Sequence, residues 1–250
     1  MAVQNPATLS PVEVVNSLFE AQFDLDRDMA RSKIHPTKAK LIDTTAALLK
    51  THKTSEITVD MVLATAGISK GSLYHHFEDL DELIETAMLE RYARWVDISV
   101  EAMTHILTTA KAPKDIYLGL VEITKRTQDP KLSGERLYRA EVLSMAGSRP
   151  RFAKQLAEIQ QHLTDALTDL IRDAQNQGYY RKDIDPKAIA VFIQAYTMGK
   201  IIDDFSPNPV DPENYANLIN TIIKEVFMTS WFEIRKPLRE VRGGAFLFNL

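Results

Sequence analysis

The sequence predicts an all-α protein, with an N-terminal three-helix unit that contains a helix-turn-helix, followed by a larger helical part. Two observations support this. Apolar residues recur at helical spacing along most of the chain, and the alternation typical of β-strands is almost missing. Several segments also start at a capping residue and stop at a glycine, as helices do.

Composition sets the broad class of protein. The chain has 250 residues, of which 45% are hydrophobic and 26% charged, as in an ordinary globular protein. It contains no apolar run of about 18 residues and no signal peptide at MAVQNPATLS, so we expect a cytoplasmic protein. Because cysteine is absent, disulfides and thiolate metal sites are excluded. The net charge of −4 means that an anionic partner needs a local basic patch.

The first segment, 1–33, is interpreted as an N-terminal extension. Within it, Ser10-Pro11-Val12-Glu13 has the form of a capping box before a short amphipathic helix. The following stretch, RSKIHPTKAK at 31–40, has four basic residues and no acidic one. The last segment, 231–250, is treated as a C-terminal tail.

Helical periodicity then divides the chain between these segments. Asp185-Pro186 and Asp211-Pro212 each place a capping acid before a first-turn proline, and Gly67 and Gly178 are placed to end helices. A break or bend in the fourth helix is left open. The predicted helices are near 37–52, 58–66, 69–77, 80–108, 114–127, 134–147, 150–177, 186–204 and 212–230.

Residues 67–77, GISKGSLYHHF, join two of these helices by a glycine turn. Ile68, Leu73 and Phe77 can anchor the second helix on the first, which leaves its other residues facing outward. This is the plan of a helix-turn-helix, whose second helix enters the DNA major groove. The free N–H groups at the start of that helix suit phosphate, and Gly71 lets the backbone come close to a duplex.

The run ITVDMVLATAGISKGSLYHHFEDLDELIETAM resembles the DNA-binding segment of TetR-family transcriptional regulators. The resemblance is sharp over about 38–90 and looser, at the level of helix order, to about 230. The positions that match the family pattern are Thr58, Val59, Val62, Ala66, Gly67, Ser69, Gly71, Ser72, Leu73, Tyr74, His76, Phe77 and Leu83.

The resemblance implies a helix-turn-helix DNA-binding domain at 34–82 and a helical ligand-binding and dimerisation domain at 83–230. It implies a homodimeric repressor that binds a palindromic operator on double-stranded DNA and is released by a small molecule. In this family His75 faces DNA and His76 packs inward. The DNA-binding residues are expected to be Lys38, Thr58, Ser69, Lys70, Gly71, Ser72, Tyr74 and His75.

Two features depart from that pattern. Leu80 stands where the family usually has a phosphate-binding lysine, although it also suits the apolar face of its helix. Segment 34–95 has seven Lys/Arg and nine Asp/Glu, so its acidic residues must be kept away from DNA. Basic residues of the 31–40 stretch, such as Arg31, Lys33, Lys38 and Lys40, are expected to supply the missing charge at the backbone or minor groove.

The last two helices indicate a partner chain. The helix at 186–204 is apolar nearly all round, and the helix at 212–230 has a continuous apolar stripe from Tyr215 to Phe227. Two such helices from each chain would form a four-helix interface. The alternative is that they fill the core of a monomer.

Aromatic residues and methionines of the middle helices are candidates for lining a ligand cavity, although such residues also simply fill cores. Arg136, Arg139 and Glu141 are candidates to orient a polar ligand, or are solvated helix charges. The candidate ligand-binding residues are Trp95, Met103, Tyr117, Tyr138, Met145, Phe152 and Phe192.

The sequence offers no sign of an enzyme, a cofactor or a metal site. His75 and His76 are adjacent and point apart on a helix, and no phosphate-binding glycine loop occurs. Two alternatives stay open. One is a helical ligand-binding or protein-interaction module that has lost DNA binding, and the other is a DNA-binding protein that responds to a partner protein instead of a ligand.

Overall fold

The computed structural model describes residues 34–229. The predicted helix after Ser10, the basic residues Arg31 and Lys33, and the tail 231–250 lie outside this range. Within it the structure is helical, and short 3₁₀ turns occupy Thr54–Glu56 and Pro130–Leu132. The α-helices are α1 (Pro36–Leu48), α2 (Val59–Ala66), α3 (Lys70–His76), α4 (Leu80–Thr109), α5 (Pro113–Thr127), α6 (Ser133–Met145), α7 (Pro150–Asn176), α8 (Pro186–Gly199), α9 (Ile201–Asp204) and α10 (Pro212–Ile222).

The first three helices pack on one another and on the start of α4. Each contributes a fully buried apolar side chain, and these are Leu41, Val62, Leu73 and Leu83. Leu80 is partly buried against the same core, as expected for a residue that packs instead of binding phosphate. The predicted all-α fold with an N-terminal helix-turn-helix is therefore confirmed.

Helix α4 is continuous from Leu80 to Thr109, so the break left open in the sequence does not occur. It begins at Asp79, whose Oδ1 accepts the backbone N–H of Glu82 at 2.7 Å. At 30 residues it is about 45 Å long. It packs against α1 at one end and against α7 further along, and α7 packs in turn on α8. Helix α4 therefore links the helix-turn-helix to the rest of the chain.

Helix α7 buries the apolar face that its periodicity predicts, with Phe152, Leu163 and Ile171 almost fully buried. Polar residues share that face, which the periodicity did not indicate. Thr164 and Thr168 bond back to carbonyl oxygens one turn earlier, and the Gln175 amide donates to the carbonyls of Arg181 and Ile184. Gly178, at a φ of +79°, lies beyond the helix end, as expected.

The C-terminal helices differ from their predicted bounds. The helix predicted at 186–204 is divided at Lys200 into α8 and α9. The helix predicted to reach 230 ends its α-helical part at Ile222, followed by a π-helical turn at Ile223–Phe227. A tertiary contact accounts for the second difference, the earlier end of the last helix. Met228 pairs with Tyr180 in an antiparallel bridge, and Arg181 N–H donates to Phe227 O at 2.9 Å, which holds the chain extended.

Between residues 34 and 229 no helix combines the length and the apolar character that crossing a membrane would require.

Candidate DNA-binding surface and ligand cavity

The turn between α2 and α3 is fixed by local hydrogen bonds. Thr58 Oγ1 accepts the backbone N–H of Met61 at 3.3 Å, and Ser69 Oγ accepts that of Ser72 at 3.2 Å. Gly67 has a φ of +62°, a left-handed conformation in which any other residue is strained. The roles of Thr58 and Gly67 were predicted from the sequence because capping chemistry is local, whereas the capping role of Ser69 was not.

Helix α3 shows one face to the core and the other to solvent. Leu73 and Phe77 are buried, whereas Lys70, Tyr74 and His75 are exposed, with Tyr74 at 47%. A Cβ added to Gly71 would meet no atom within 4 Å, so this backbone faces open space. The structure therefore brings most of the predicted DNA-binding residues of α3 together on one exposed helix end, with Ser72 half-buried beside them.

Lys38 of α1 lies next to this helix. Its Nζ is 5.2 Å from the centre of the Phe77 ring, which holds the ammonium at the base of α3. The His76 ring contacts those of His35 and His75, with centroids 4.8 and 4.9 Å apart. Burial, followed by the charges of His35, His75 and Lys38, lowers the pKa of His76. The positive charge available to a phosphate here is therefore that of lysine rather than of His76.

Several acidic residues of the N-terminal unit are bound to arginines of α4 and α7. Asp43 pairs with Arg94 at 3.1 Å, and Glu85 pairs with Arg149 at 2.7 Å. Glu82 pairs with Arg151 and also accepts the backbone N–H of Glu78. The acidic excess of this segment is thus partly neutralised along α4, away from the exposed end of α3.

A cavity of about 1200 Å³ lies between the helix-turn-helix and the larger helical part. One wall is the loop after α1, including Leu49, His52 and Glu56. The other walls come from α4, α5, α6, α7 and α8. Its volume is somewhat above the usual range of ligand pockets, which is about 300–1,000 Å³. A molecule bound there would contact both parts of the chain.

Three of the seven predicted ligand-binding residues line this cavity: Trp95, Met103 and Tyr138. The other four do not line it. Phe152 is fully buried in the core, Tyr117 and Met145 are half-buried elsewhere, and Phe192 is 38% exposed, with its ring against Tyr196 and Phe227. Periodicity shows that a residue points inward, but not whether it meets packed side chains or a cavity.

A chain of hydrogen bonds that the sequence did not indicate joins three helices at the cavity wall. Tyr92 of α4 donates from its hydroxyl to Gln160 Oε1 of α7 at 2.7 Å. Gln160 donates to Gln194 of α8, which in turn donates to Thr164 Oγ1 at 3.2 Å. Burial raises the pKa of Tyr92, so its hydroxyl stays a donor at neutral pH.

Side chains of α6 that line the cavity also contact α4 and the turn before α2. Tyr138 donates to the carbonyl of Met88 at 2.6 Å, and the Arg91 guanidinium lies 3.8 Å from the centre of the Tyr138 ring. On the other side Thr54 Oγ1, in the turn before α2, donates to Glu141 Oε1 of α6 at 3.0 Å. The N-terminal unit is therefore hydrogen-bonded directly to a residue that lines the cavity.

Arg136 and Arg139 are both buried, which excludes the interpretation that they are solvated helix charges. Arg136 binds Asp204 and the carbonyls of Thr127 and Asp129, so it is structural. Arg139 instead lines the cavity beside Trp95. Glu141 is exposed at the margin of the cavity.

The last helices leave a large apolar surface uncovered. Among residues 34–229, eleven large apolar side chains are exposed, and seven of them lie between residues 191 and 226. Ile202 is 82% exposed, Phe205 69% and Leu218 56%. Such a concentration is typical of a surface that contacts another protein chain.

Comparison with known proteins agrees with this architecture. The family described as bacterial regulatory proteins, tetR family, matches residues 41–87, which span α1 to the start of α4. The transcriptional repressor KstR2 of Mycobacterium tuberculosis is 23% identical over 170 residues, or 68% of this chain and 82% of that protein. The transcriptional regulator UidR of Escherichia coli is 19% identical over 203 residues, or 81% of this chain and 99% of that protein.

Solved structures share the fold. A TetR-family regulator from Mesorhizobium loti superposes with a TM-score of 0.61 at 18% identity, covering 77% of this chain and 97% of that chain. A transcriptional regulator from Saccharomonospora viridis, solved in complex with choline, gives a TM-score of 0.59 at 17% identity, covering 77% and 98%. The segment from α1 to the start of α4 is therefore similar to the tetR family of bacterial regulatory proteins, and the helical body shares the fold of these solved structures.

Proposed function

We propose that the protein is a homodimeric repressor that binds a palindromic DNA operator through α3 and is released by a small molecule bound in the cavity. The observation that carries the proposal is the exposed end of α3, where Lys70, Gly71, Tyr74 and His75 share one open surface. Helix-turn-helix proteins read DNA with this part of the second helix. The name of KstR2, a transcriptional repressor, favours repression over activation.

The residues divide between two roles at the duplex. Lys38, Thr58, Ser69 and Tyr74 contact phosphates, which sets the position of α3 but carries no base information. The Thr58 and Ser69 hydroxyls accept backbone N–H bonds as caps, and Thr58 keeps a proton to donate to a phosphate oxygen. Ser69 Oγ also lies 3.0 Å from Ser72 Oγ, and its proton reaches a phosphate when Ser72 is the donor in that bond. Lys70, Ser72 and His75 contact base edges, and Gly71 allows the backbone to approach.

Dimerisation follows from the exposed apolar side chains of α8 to α10. Burying them against the same surface of a second chain removes apolar area from water and forms a four-helix interface. A dimer presents two copies of α3 to half-sites about 34 Å apart, so the second contact becomes intramolecular and affinity rises.

Release depends on the position of the cavity. A ligand that fits only one arrangement of the loop after α1, α4 and α6 changes the tilt of α4 and the separation of the two α3 helices. It must bind the DNA-incompetent state more tightly, and a coupling of about 1–3 kcal/mol weakens operator binding about 5- to 150-fold. That the Saccharomonospora regulator holds choline supports a ligand in a protein of this fold.

DNA binding is tested by fluorescence anisotropy with the DNA upstream of the protein's own gene, over a series of salt concentrations. One lysine per subunit on a phosphate, Lys38, gives a log–log slope of about −2 in a dimer. A slope near zero without sequence preference would favour the helical module that has lost DNA binding. If no metabolite in a library raises the melting temperature, a protein partner replaces the ligand as the signal.

A further inference from the structure

The cavity lining has an uneven distribution of charge. Arg139 is only 6% exposed, although it lines the cavity. The acidic residues Glu56, Asp97, Glu101 and Glu141 line the same cavity but are exposed residues. Arg139 is therefore the most buried of the charged residues that line the cavity, and these four negative charges lie where water solvates them.

The Arg139 guanidinium is unpaired within the part of the chain that the structure describes. Its Nε is buried without a hydrogen-bond acceptor, and its CZ atom lies 4.6 Å from the centre of the Trp95 ring. The acidic residue with the largest electrostatic effect on it is Glu135, one turn earlier on α6. Both oxygens of that carboxylate accept from Arg91 Nη2, at 2.7 and 2.9 Å.

Burying the charge of an arginine costs solvation free energy, and without a hydrogen-bond partner nothing offsets this cost. Burial lowers the pKa of Arg139 to about 10, although Glu135 and Tyr92 raise it. The guanidinium still carries its charge at neutral pH. An anion bound beside it would supply the missing acceptor.

We propose that the cavity binds an organic anion, with one carboxylate or phosphate group on Arg139 and an apolar body against Trp95, Met103 and Leu163. This proposal rests on the proposed ligand-binding function and assigns the chemical class of its ligand. A planar guanidinium binds a carboxylate or phosphate through two parallel N–H···O bonds. The apolar body is accommodated because Met103 and Leu163 offer only carbon and sulfur to the cavity.

The head group is tested with compounds that share one ten-carbon body: decanoate, decyl phosphate, decanol and decylamine. Each competes with the neutral fluorescent probe N-phenyl-1-naphthylamine on the full chain. In the wild type we expect decanoate or decyl phosphate to compete at concentrations about tenfold lower than decanol, with decylamine the weakest. The stronger of the two anions identifies the head group as carboxylate or phosphate.

In Arg139→Met the difference between anion and alcohol should fall to about twofold, while the probe itself binds as before, because only the charge is removed. The matched control is Arg172→Met, whose exposed side chain pairs with Asp169 on α7 outside the cavity. If Arg139→Met does not fold, Arg139→Lys replaces it. That variant keeps the charge but loses the two-bond geometry, so the preference should drop about threefold.

Equal competition by decanoate, decyl phosphate and decanol in the wild type would overturn the proposal, as would an unchanged preference in Arg139→Met. Failure of both anions to bind up to about 1 mM would overturn it too. DNA binding by anisotropy is measured on the same variants. If the wild type binds the probe and DNA but shows no preference for anions, the proposal of an anionic ligand is refuted and the proposed function stands. If the wild type shows no salt-dependent DNA binding, the proposed function itself is refuted.

Discussion

The guanidinium of Arg136, on α6, is fully buried and binds both carboxylate oxygens of Asp204, at 2.6 and 2.8 Å. Lys200, which is also buried, lies 3.3 Å from the same carboxylate. This group holds α9 on α6. Ile202 and Phe205, two of the most exposed apolar residues, lie close to Asp204 in sequence, so the pair also fixes their position in the proposed dimer surface.

Asp204→Asn should therefore destabilise the protein by about 3 kcal/mol, because it leaves a buried guanidinium without its counter-ion. Urea unfolding at fixed protein concentration and pH 7 measures the loss. Asp169→Asn, at an exposed pair with Arg172, is the control and should change stability far less. Equal effects of the two substitutions would show that the buried pair contributes no more than a surface one.

The same pair gives a pH dependence with a definite sign. Burial by itself raises the pKa of Asp204, but bonds and charges from Arg136 and Lys200 outweigh burial and hold this pKa below its usual 3.8. The pair therefore stabilises the protein fully above about pH 4, and this stability is lost as pH falls through the lower, folded-state pKa. The free energy of unfolding, measured between pH 2 and 5, should fall more steeply with decreasing pH for the wild type than for Asp204→Asn.

Gly71→Ala should separate folding from DNA binding. Its added Cβ meets open space, and alanine favours a helix, so stability should rise by about 0.5 kcal/mol. The same methyl group would meet the DNA backbone, so operator affinity should fall about tenfold. Thermal melting and anisotropy measure the two effects. Gly67→Ala is the contrast, since it should lower the melting temperature through strain at a φ of +62°.

Tyr74→Phe should weaken binding about tenfold on every DNA sequence, because a phosphate contact carries no base information. Lys70→Ala or Ser72→Ala should instead change which sequence is preferred. Selection from a random oligonucleotide library measures both. A shift of sequence preference in Tyr74→Phe would mean that this hydroxyl contacts a base.

Leu218→Glu should disrupt dimerisation, because it places a charge at the centre of an apolar interface. We expect the dimer dissociation constant to rise about a hundredfold in sedimentation experiments, with a matching loss of operator affinity. Gln155→Glu, at an exposed position of α7, is the control with the same added charge. If the wild type sediments as a monomer at micromolar concentration, the proposed dimer through these helices is overturned.

The helix-turn-helix could be predicted from the sequence because its determinants are local. The cap at Thr58, the left-handed Gly67 and the apolar spacing of Leu73 and Phe77 each depend on neighbours within one or two turns. The same reasoning predicted the proline-led starts of α8 and α10. It placed Tyr74 and His75 outward, where the structure has them.

Only the tertiary structure decided which inward residues meet a cavity and where the last helix ends. Trp95 and Phe152 have similar local patterns, yet one lines the cavity and the other is packed in the core. Met228 leaves the helical conformation because Tyr180, distant in sequence, pairs with it. Arg136 and Arg139 are one turn apart on α6, but a residue of α9 neutralises only the first. Charge and packing partners that are remote in the chain decide these features. Periodicity could not predict them, because it depends only on residues that are close in sequence.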